Sequence, residues 1–328
     1  MPNLESLPPE TSSRVAQGIR TFWLNLGWLV VLIMTVAIPL ALDAAGRLTY
    51  FASLVLWGIP LLYLWPVFRS LTASGTGRRR RALCWSAGTI AVLGVVLDLV
   101  LGHLTFRFPG CNSAPGTSPY VWCVRGLGGL VPIEELLFYV MGPIAIVLTY
   151  ACADERWLSR YHSGDNRLDR ALIRVSPRLV AAAGLAAVVA IALWRVNGTF
   201  PTYFVFLTAG SILPAMFLYR AVGHLTNWPA LAVTTLYVLL TSVIWEVTLA
   251  IPRDWWGYEP TGMVGLVITA WSRGSAIFPV EAALVWLAAP FSCILIYEFA
   301  NAFFHHPGST RTALFGPAPA ANPSPARR

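Results

Sequence analysis

Eight apolar stretches, near residues 22–42, 49–68, 83–103, 128–151, 179–196, 202–220, 229–250 and 276–304, dominate this chain of 328 residues. Each approaches the roughly 20 residues that a helix needs to cross a hydrocarbon core. In lipid, a backbone must satisfy its own polar groups, so apolar runs of this length dictate helices. Composition agrees: 56% of residues are hydrophobic, 12% are charged, and the mean hydropathy is +0.63. The expected fold is all-α, a polytopic membrane bundle of about eight transmembrane helices.

The 23 basic residues are all arginine, and their placement sets the orientation. Arg14 and Arg20, the group Arg69 and Arg78 to Arg81, and the series Arg156 to Arg178 alternate along the chain with poorly charged loops. With the N-terminus inside, 17 arginines face the cytoplasm and 6 face outward. Positive-inside bias therefore predicts both termini in the cytoplasm of a cell (inner) membrane protein. The formal charge of +8 flanks spans instead of decorating a soluble face, which argues against nucleic acid as a partner. The first span is long and lacks a small-residue cleavage pattern, so it is expected to be retained. Cys111 and Cys123 share one outward loop, where either a disulfide or two free thiols would fit.

A duplicated motif organises the chain. Pro132-Ile-Glu134-Glu135-Leu-Leu-Phe138, followed by Pro143 and Tyr150, returns 147 residues later as Pro279-Val-Glu281-Ala282, followed by Trp286, Pro290 and Tyr297. This predicts two parallel tandem repeats, at 21–155 and 178–305, since an even number of spans per half preserves orientation. The remaining parts are a cytoplasmic N-terminal tail at 1–20, an arginine-rich connector at 156–177 and a disordered Pro/Ala/Arg tail at 306–328. Pro143 and Pro290 each remove a backbone donor within a motif helix, which frees a carbonyl near Tyr139 and Trp286.

Six carboxylates fall within or beside spans: Asp98, Glu134, Glu135, Glu246, Glu281 and Glu298. An unpaired charge is costly there, and such acids mark functional sites by default. With no deep cation to pair with, some are expected to be neutral near pH 7 and able to donate protons. Glu134 and Glu281 occupy equivalent positions and are expected at equal depth on opposite walls of a cavity between the halves. Glu135 lies about 100° around the helix from Glu134 and has only Ala282 as its counterpart, so an orienting role suits it. Asp98 and Glu246 end the helices before the two motif helices, where a functional and a structural role are equally open. Glu298 reads as a helix–helix hydrogen bond.

Phe138, Tyr139 and Trp286 on the motif helices, and the loop cluster Trp255, Trp256 and Tyr258, are the aromatic candidates for substrate binding. The loop cluster fits two roles, an interfacial aromatic belt or π faces near a cation. No nucleotide-binding glycine pattern, P-loop or metal-ligand spacing is present, so no cofactor or metal is expected.

At these residues the chain resembles the integral-membrane lycopene cyclases of bacteria, archaea and fungi, the heterodimeric or fused type. That family carries two related domains, each with a Pro-x-Glu-(Glu/Asp)-x-x-x-(Phe/Tyr) helix preceded by a helix ending in an acid. Pro132 to Tyr139, Trp245-Glu246, Trp256 to Pro260 and Pro279-Val-Glu281 follow this pattern, over about residues 49–304. The chain departs at Ala282, at Leu97 where an aromatic is usual before Asp98, and in a lengthened two-cysteine loop.

The resemblance implies a redox-neutral intramolecular lyase or isomerase acting on an acyclic carotenoid within the bilayer, with other carotenoid-pathway enzymes as possible partners. Glu134 or Glu281 would protonate a terminal alkene, and a second carboxylate would deprotonate the closed ring. A proton-coupled transporter, a cyclase acting on another polyene or terpene, and a non-catalytic half of a larger complex are the competing readings.

Overall fold

The computed structural model describes residues 9–72, 77–113, 118–162, 177–272 and 277–305. The central connector (163–176) and the C-terminal tail (306–328) lie outside them. Ten helices run through this part: α1 (Pro9–Ala44), α2 (Tyr50–Trp57), α3 (Ile59–Thr72), α4 (Arg78–Leu101), α5 (Ile133–Cys152), α6 (Pro177–Asn197), α7 (Thr202–Leu207), α8 (Leu213–Val222), α9 (Trp228–Trp245) and α10 (Val280–His305). Four short strands, β1 (Phe106–Arg107), β2 (Cys123–Arg125), β3 (Leu130–Pro132) and β4 (Gly257–Tyr258), lie in the loops before the motif helices.

Seven helical segments are long and apolar enough to cross a membrane, which marks an integral membrane protein with an all-α bundle. Where the eighth span is expected, the described residues give a shorter apolar stretch, Tyr50–Pro66, with α2 and α3 separated by a turn at Gly58. Its counterpart in the second half, α7 and α8, stays continuous through a wide turn at Thr208–Ile212. α1 begins at Pro9, and the part of it long and apolar enough to cross a membrane runs from Leu26 to Ala44.

Local chemistry explains several helix ends. Thr49 caps α2 by accepting from the Ala52 amide at 3.2 Å, and Asn227 caps α9 by accepting from Ala230 at 3.2 Å. Each removes an orphan amide that the first helical turn would otherwise leave bare. Pro132 directly precedes α5 and Pro279 directly precedes α10, where a fixed φ and a missing N–H are harmless.

Two sets of paired contacts relate the halves. At the motif end, β1 pairs antiparallel with β4, placing Phe106 opposite Tyr258 and Arg107 opposite Gly257. Aligning Pro109 with Pro260 makes Phe106 equivalent to Gly257 and Arg107 to Tyr258, so the pair is self-complementary, as a two-fold requires. At the opposite end, Asn227 at the start of α9 donates to Asp154 just beyond α5 at 2.7 Å. Its mirror is Arg78 at the start of α4, which donates to Asn301 of α10 at 3.2 Å. Between these clamps α4 packs against both motif helices.

Glu298 belongs to this second layer, accepting a 2.7 Å hydrogen bond from Tyr150 of α5. It joins the two motif helices as a helix–helix hydrogen bond would. Cys111 and Cys123 form a disulfide, with their Cα atoms 5.8 Å apart, closing the longer of the two motif-end loops.

Candidate functional site

The three acids of the first repeat lie close together. Asp98 ends α4, and Glu134 and Glu135 occupy the first turn of α5. All are buried. Glu135 accepts from the Tyr50 hydroxyl at 2.9 Å and lies within electrostatic reach of Asp98, Glu246 and Glu134.

The sequence expectation sets Glu134 and Glu281 across one chamber; what the structure shows is a contact of each within its own half. Each turns one oxygen to the loop of its own half. Glu134 accepts from the Val121 amide at 2.7 Å, and Glu281 accepts from the Val264 amide at 2.6 Å. Neither lines either of the two large cavities at this end. Their duplication is real, but the duplicated contact is a loop anchor at a helix N-terminus, where an acceptor is favoured. The second oxygen of each is buried without a hydrogen-bond partner.

Asp98 is the acid that lines open space. It is 3% exposed, its two carboxylate oxygens are buried, and neither has a hydrogen-bond partner among the described residues. It lines an apolar slot of about 570 Å³ between α4, α5 and α7, with Leu97, Leu101, Phe106, Tyr139, Val205, Phe206 and Gly210 among its walls. That volume lies in the range of small-molecule sites, about 300–1,000 Å³. Two glycines make the arrangement possible. A side chain at Gly102 would collide with the Asp98 carboxylate, and one at Gly94 would collide with the ring of Tyr139.

The equivalent place in the second repeat is filled. Glu246 is held by the Tyr258 hydroxyl and by Trp286 Nε1 at 3.0 Å, so both of its oxygens are satisfied. Burial, then the adjacent Glu246, keep the Tyr258 phenol well above its ordinary pKa, so it stays a donor. Where the slot has Leu97 and Gly210, the second repeat has Trp245 and Trp57, and α1 covers the opening through Thr35, Val36 and Pro39. Only about 10 Å³ of space remains there.

The remaining aromatic candidates separate in the same way. Tyr139 lines the slot. Phe138 packs edge-on against Trp286, with ring centroids 5.6 Å apart. Trp255 and Trp256 are buried against Tyr50, at 5.5 and 5.6 Å. The loop cluster is therefore a packed junction between the halves, and it forms neither a lipid-facing belt nor a slot wall.

Sequence reasoning missed the α7 wall of the slot and the residue Tyr50. One signal pointed to both: Thr49-Tyr50-Phe51 recurs as Thr202-Tyr203-Phe204. The recurrence is 153 residues apart instead of 147, because the intervening loops differ in length. Tyr203 packs beside Ala282, whereas Tyr50 bonds Glu135, so the loss of the second acid in the later motif is matched by its partner.

Comparison with known proteins finds no matching family model, no matching curated protein and no matching solved structure. Among the described residues no cluster of His, Cys, Asp or Glu suits a metal ion.

Proposed function

We propose that this chain is a carotenoid cyclase of the lycopene type, working at a single site where Asp98 meets the apolar slot. The observation that carries this reading is a buried, unpartnered carboxyl group in the wall of a hydrocarbon-lined cavity. A polyene end has no polar handle, so a site for it needs shape, dryness and one acid. In its neutral form Asp98 would protonate the terminal alkene, leaving a tertiary cation that the next double bond attacks to close a six-membered ring. The rings of Tyr139, Phe106 and Phe206 lie around that region, and π faces stabilise cations. The carboxylate left on Asp98 faces the same space and can remove a proton from a ring carbon, so the reaction is redox-neutral and its protons balance.

In this reading Glu135 and Tyr50 support Asp98 from behind, Glu134 and Glu281 fix the two loops, and Glu246 is structural. With the arginine-rich end in the cytoplasm, as the positive-inside bias predicts, the slot lies in the outer half of the membrane. A proton-coupled transporter would need a path to the other face. Both cavities described lie at the motif end, whereas the opposite end carries the contacts among Tyr150, Glu298, Asn227 and Asp154.

The test is expression in a host that accumulates lycopene, with chromatographic identification of the pigments. The native chain should yield cyclised pigment and Asp98→Asn should yield none at equal protein level. Retained cyclisation in that variant would overturn the assignment of the acid. An unchanged pigment profile with the native chain, extended to longer carotenoids and other polyenes, would overturn the cyclase reading.

A further inference from the structure

Asp98 lines a second cavity as well as the slot. This one, of about 380 Å³, opens at the motif end, and its walls carry His103, Arg107 and Asn112. Asp98 and Phe106 are the residues common to both cavities. One wall is the turn Gly126-Leu127-Gly128-Gly129, tied to α4 by the Leu127 amide donating to the Leu99 carbonyl at 2.8 Å. A side chain at Gly128 would collide with the ring of His103, so this wall is drawn tightly against the end of α4.

We propose that this outer cavity is a water-filled vestibule through which Asp98 exchanges its proton with the aqueous phase. The proposal rests on the cyclase reading for its purpose, but its geometry stands separately. A buried water needs only about 10–15 Å³ of free space and two to four polar partners. The cavity offers far more room, together with the polar side chains of His103, Arg107 and Asn112, and it ends against Asp98, whose carboxylate oxygens are buried. Arg107 also lies 3.9 Å from Glu259, which keeps charge of both signs at the rim.

On the slot side there is little to carry a proton, because hydrocarbon and aromatic rings dominate the walls. Asp98 regains a proton from the ring in each turnover, but an acid enclosed by such walls on every side could not set its protonation state against solvent. Here the oily face receives the substrate and the wet face exchanges the proton of the acid with water. No net proton is consumed, since for each proton the substrate takes from Asp98 one leaves the ring, and the vestibule exchanges both with solvent.

The chemical context of Asp98 is mixed, and each charged or titratable neighbour has a place in this scheme. Glu135 and Tyr139 approach from α5, with Glu135 bonded to Tyr50. His103 and Arg107 approach from the outer cavity. The second repeat has no such relay, since Glu246 is enclosed by Tyr258 and Trp286.

The test uses the full chain in detergent or native vesicles, treated with a water-soluble carbodiimide and an amine nucleophile. Amide formation at Asp98 is read by peptide mass spectrometry. Asp98 should be tagged in the native chain, and Gly129→Trp should abolish tagging by plugging the vestibule. A side chain at Gly129 would meet only the Cβ of His103, at 4.0 Å, so the position accepts one. Asn112→Trp at the exposed rim is the second plug, should the first fail to fold. Leu97→Trp, which fills the slot, should leave aqueous tagging intact while blocking a lipophilic carbodiimide. Equal tagging in native and folded plugged proteins, or tagging by the lipophilic reagent alone, would overturn the vestibule. The labelling reads access to Asp98 whether or not rings are made, so absent cyclisation would sink the functional reading and leave this one standing. In an active protein assayed in heavy water, the product ring should carry solvent deuterium, and in the plugged variants that incorporation should fall.

Discussion

The sharpest separation of roles comes from replacing Glu134 and Glu281 by Gln and, separately, by Leu. Gln keeps an amide oxygen where the carboxylate oxygen accepts from Val121 or Val264, at 2.7 and 2.6 Å. Leu removes the acceptor and leaves a partly buried N–H unpaired, which costs about 1–3 kcal/mol. At roughly 1.4 kcal/mol per tenfold, that is about a 5- to 150-fold shift in local opening. Hydrogen exchange with mass spectrometry on the peptides containing Val121 and Val264 reads this directly. Exchange in each Leu variant should accelerate within that range, in its own loop only, while the Gln variants stay near the native rate. Ring formation should survive both Gln changes. If either Gln variant lost ring formation with native exchange rates, the glutamate proton itself would be needed, and the loop-anchor argument would fail.

Three further outcomes follow from the asymmetry of the repeats. Leu97→Trp copies the residue that fills the second repeat, so it should abolish ring formation without loss of thermal stability in detergent. Trp57→Ala should destabilise the fold by about 3–5 kcal/mol, measurable by denaturant titration, and yet create no second activity, because Glu246 stays held by Tyr258 and Trp286. At the opposite end, the 2.8 Å contact with Asp154 raises the pKa of His162 above its usual 6.5. Its stabilisation is complete below about pH 6.5 and lost as pH rises through the higher folded value. Melting temperature should fall across that window and flatten in His162→Gln.

Much of the bundle could be read from hydropathy, because a helix is the backbone's answer to lipid wherever some 20 apolar residues run together. The break at Gly58 could not, since the α2 and α3 stretch is as apolar as its neighbours and only packing shows where it divides. The duplicated glutamates are equivalent in the sequence and make equivalent loop contacts, but sequence equivalence says nothing of direction. Position 134 faces a loop amide because Pro132 starts the helix there and the loop folds back over it. In the sequence Asp98 is evenly balanced between roles for a similar reason. Its orphaned oxygens exist only because no residue matching Tyr258 or Trp286 comes to bond it, and a missing contact leaves no mark in one sequence. Leu97 did leave a mark, as a departure from an aromatic expectation, and the structure turns it into the opened wall of the slot.

A duplicated membrane fold begins with two equal hollows and two equal acids, and the two have different requirements. An acid that must donate a proton to hydrocarbon has to stay free of donors, which is costly in a buried setting. Keeping two such groups would incur that cost twice. In this chain one acid has been supplied with a phenol and an indole, its hollow has been filled with tryptophan, and α1 lies across the opening. The other acid keeps both oxygens bare between an oily cavity and a polar one. The packed repeat holds the shared junction of β1 and β4 rigid, so the open repeat can carry its unsatisfied group without collapsing onto it. The division of labour predicts the order of tolerance: donors placed near Asp98 should quiet the site and stabilise the fold, whereas donors removed from Glu246 should unfold the protein before they create a second site.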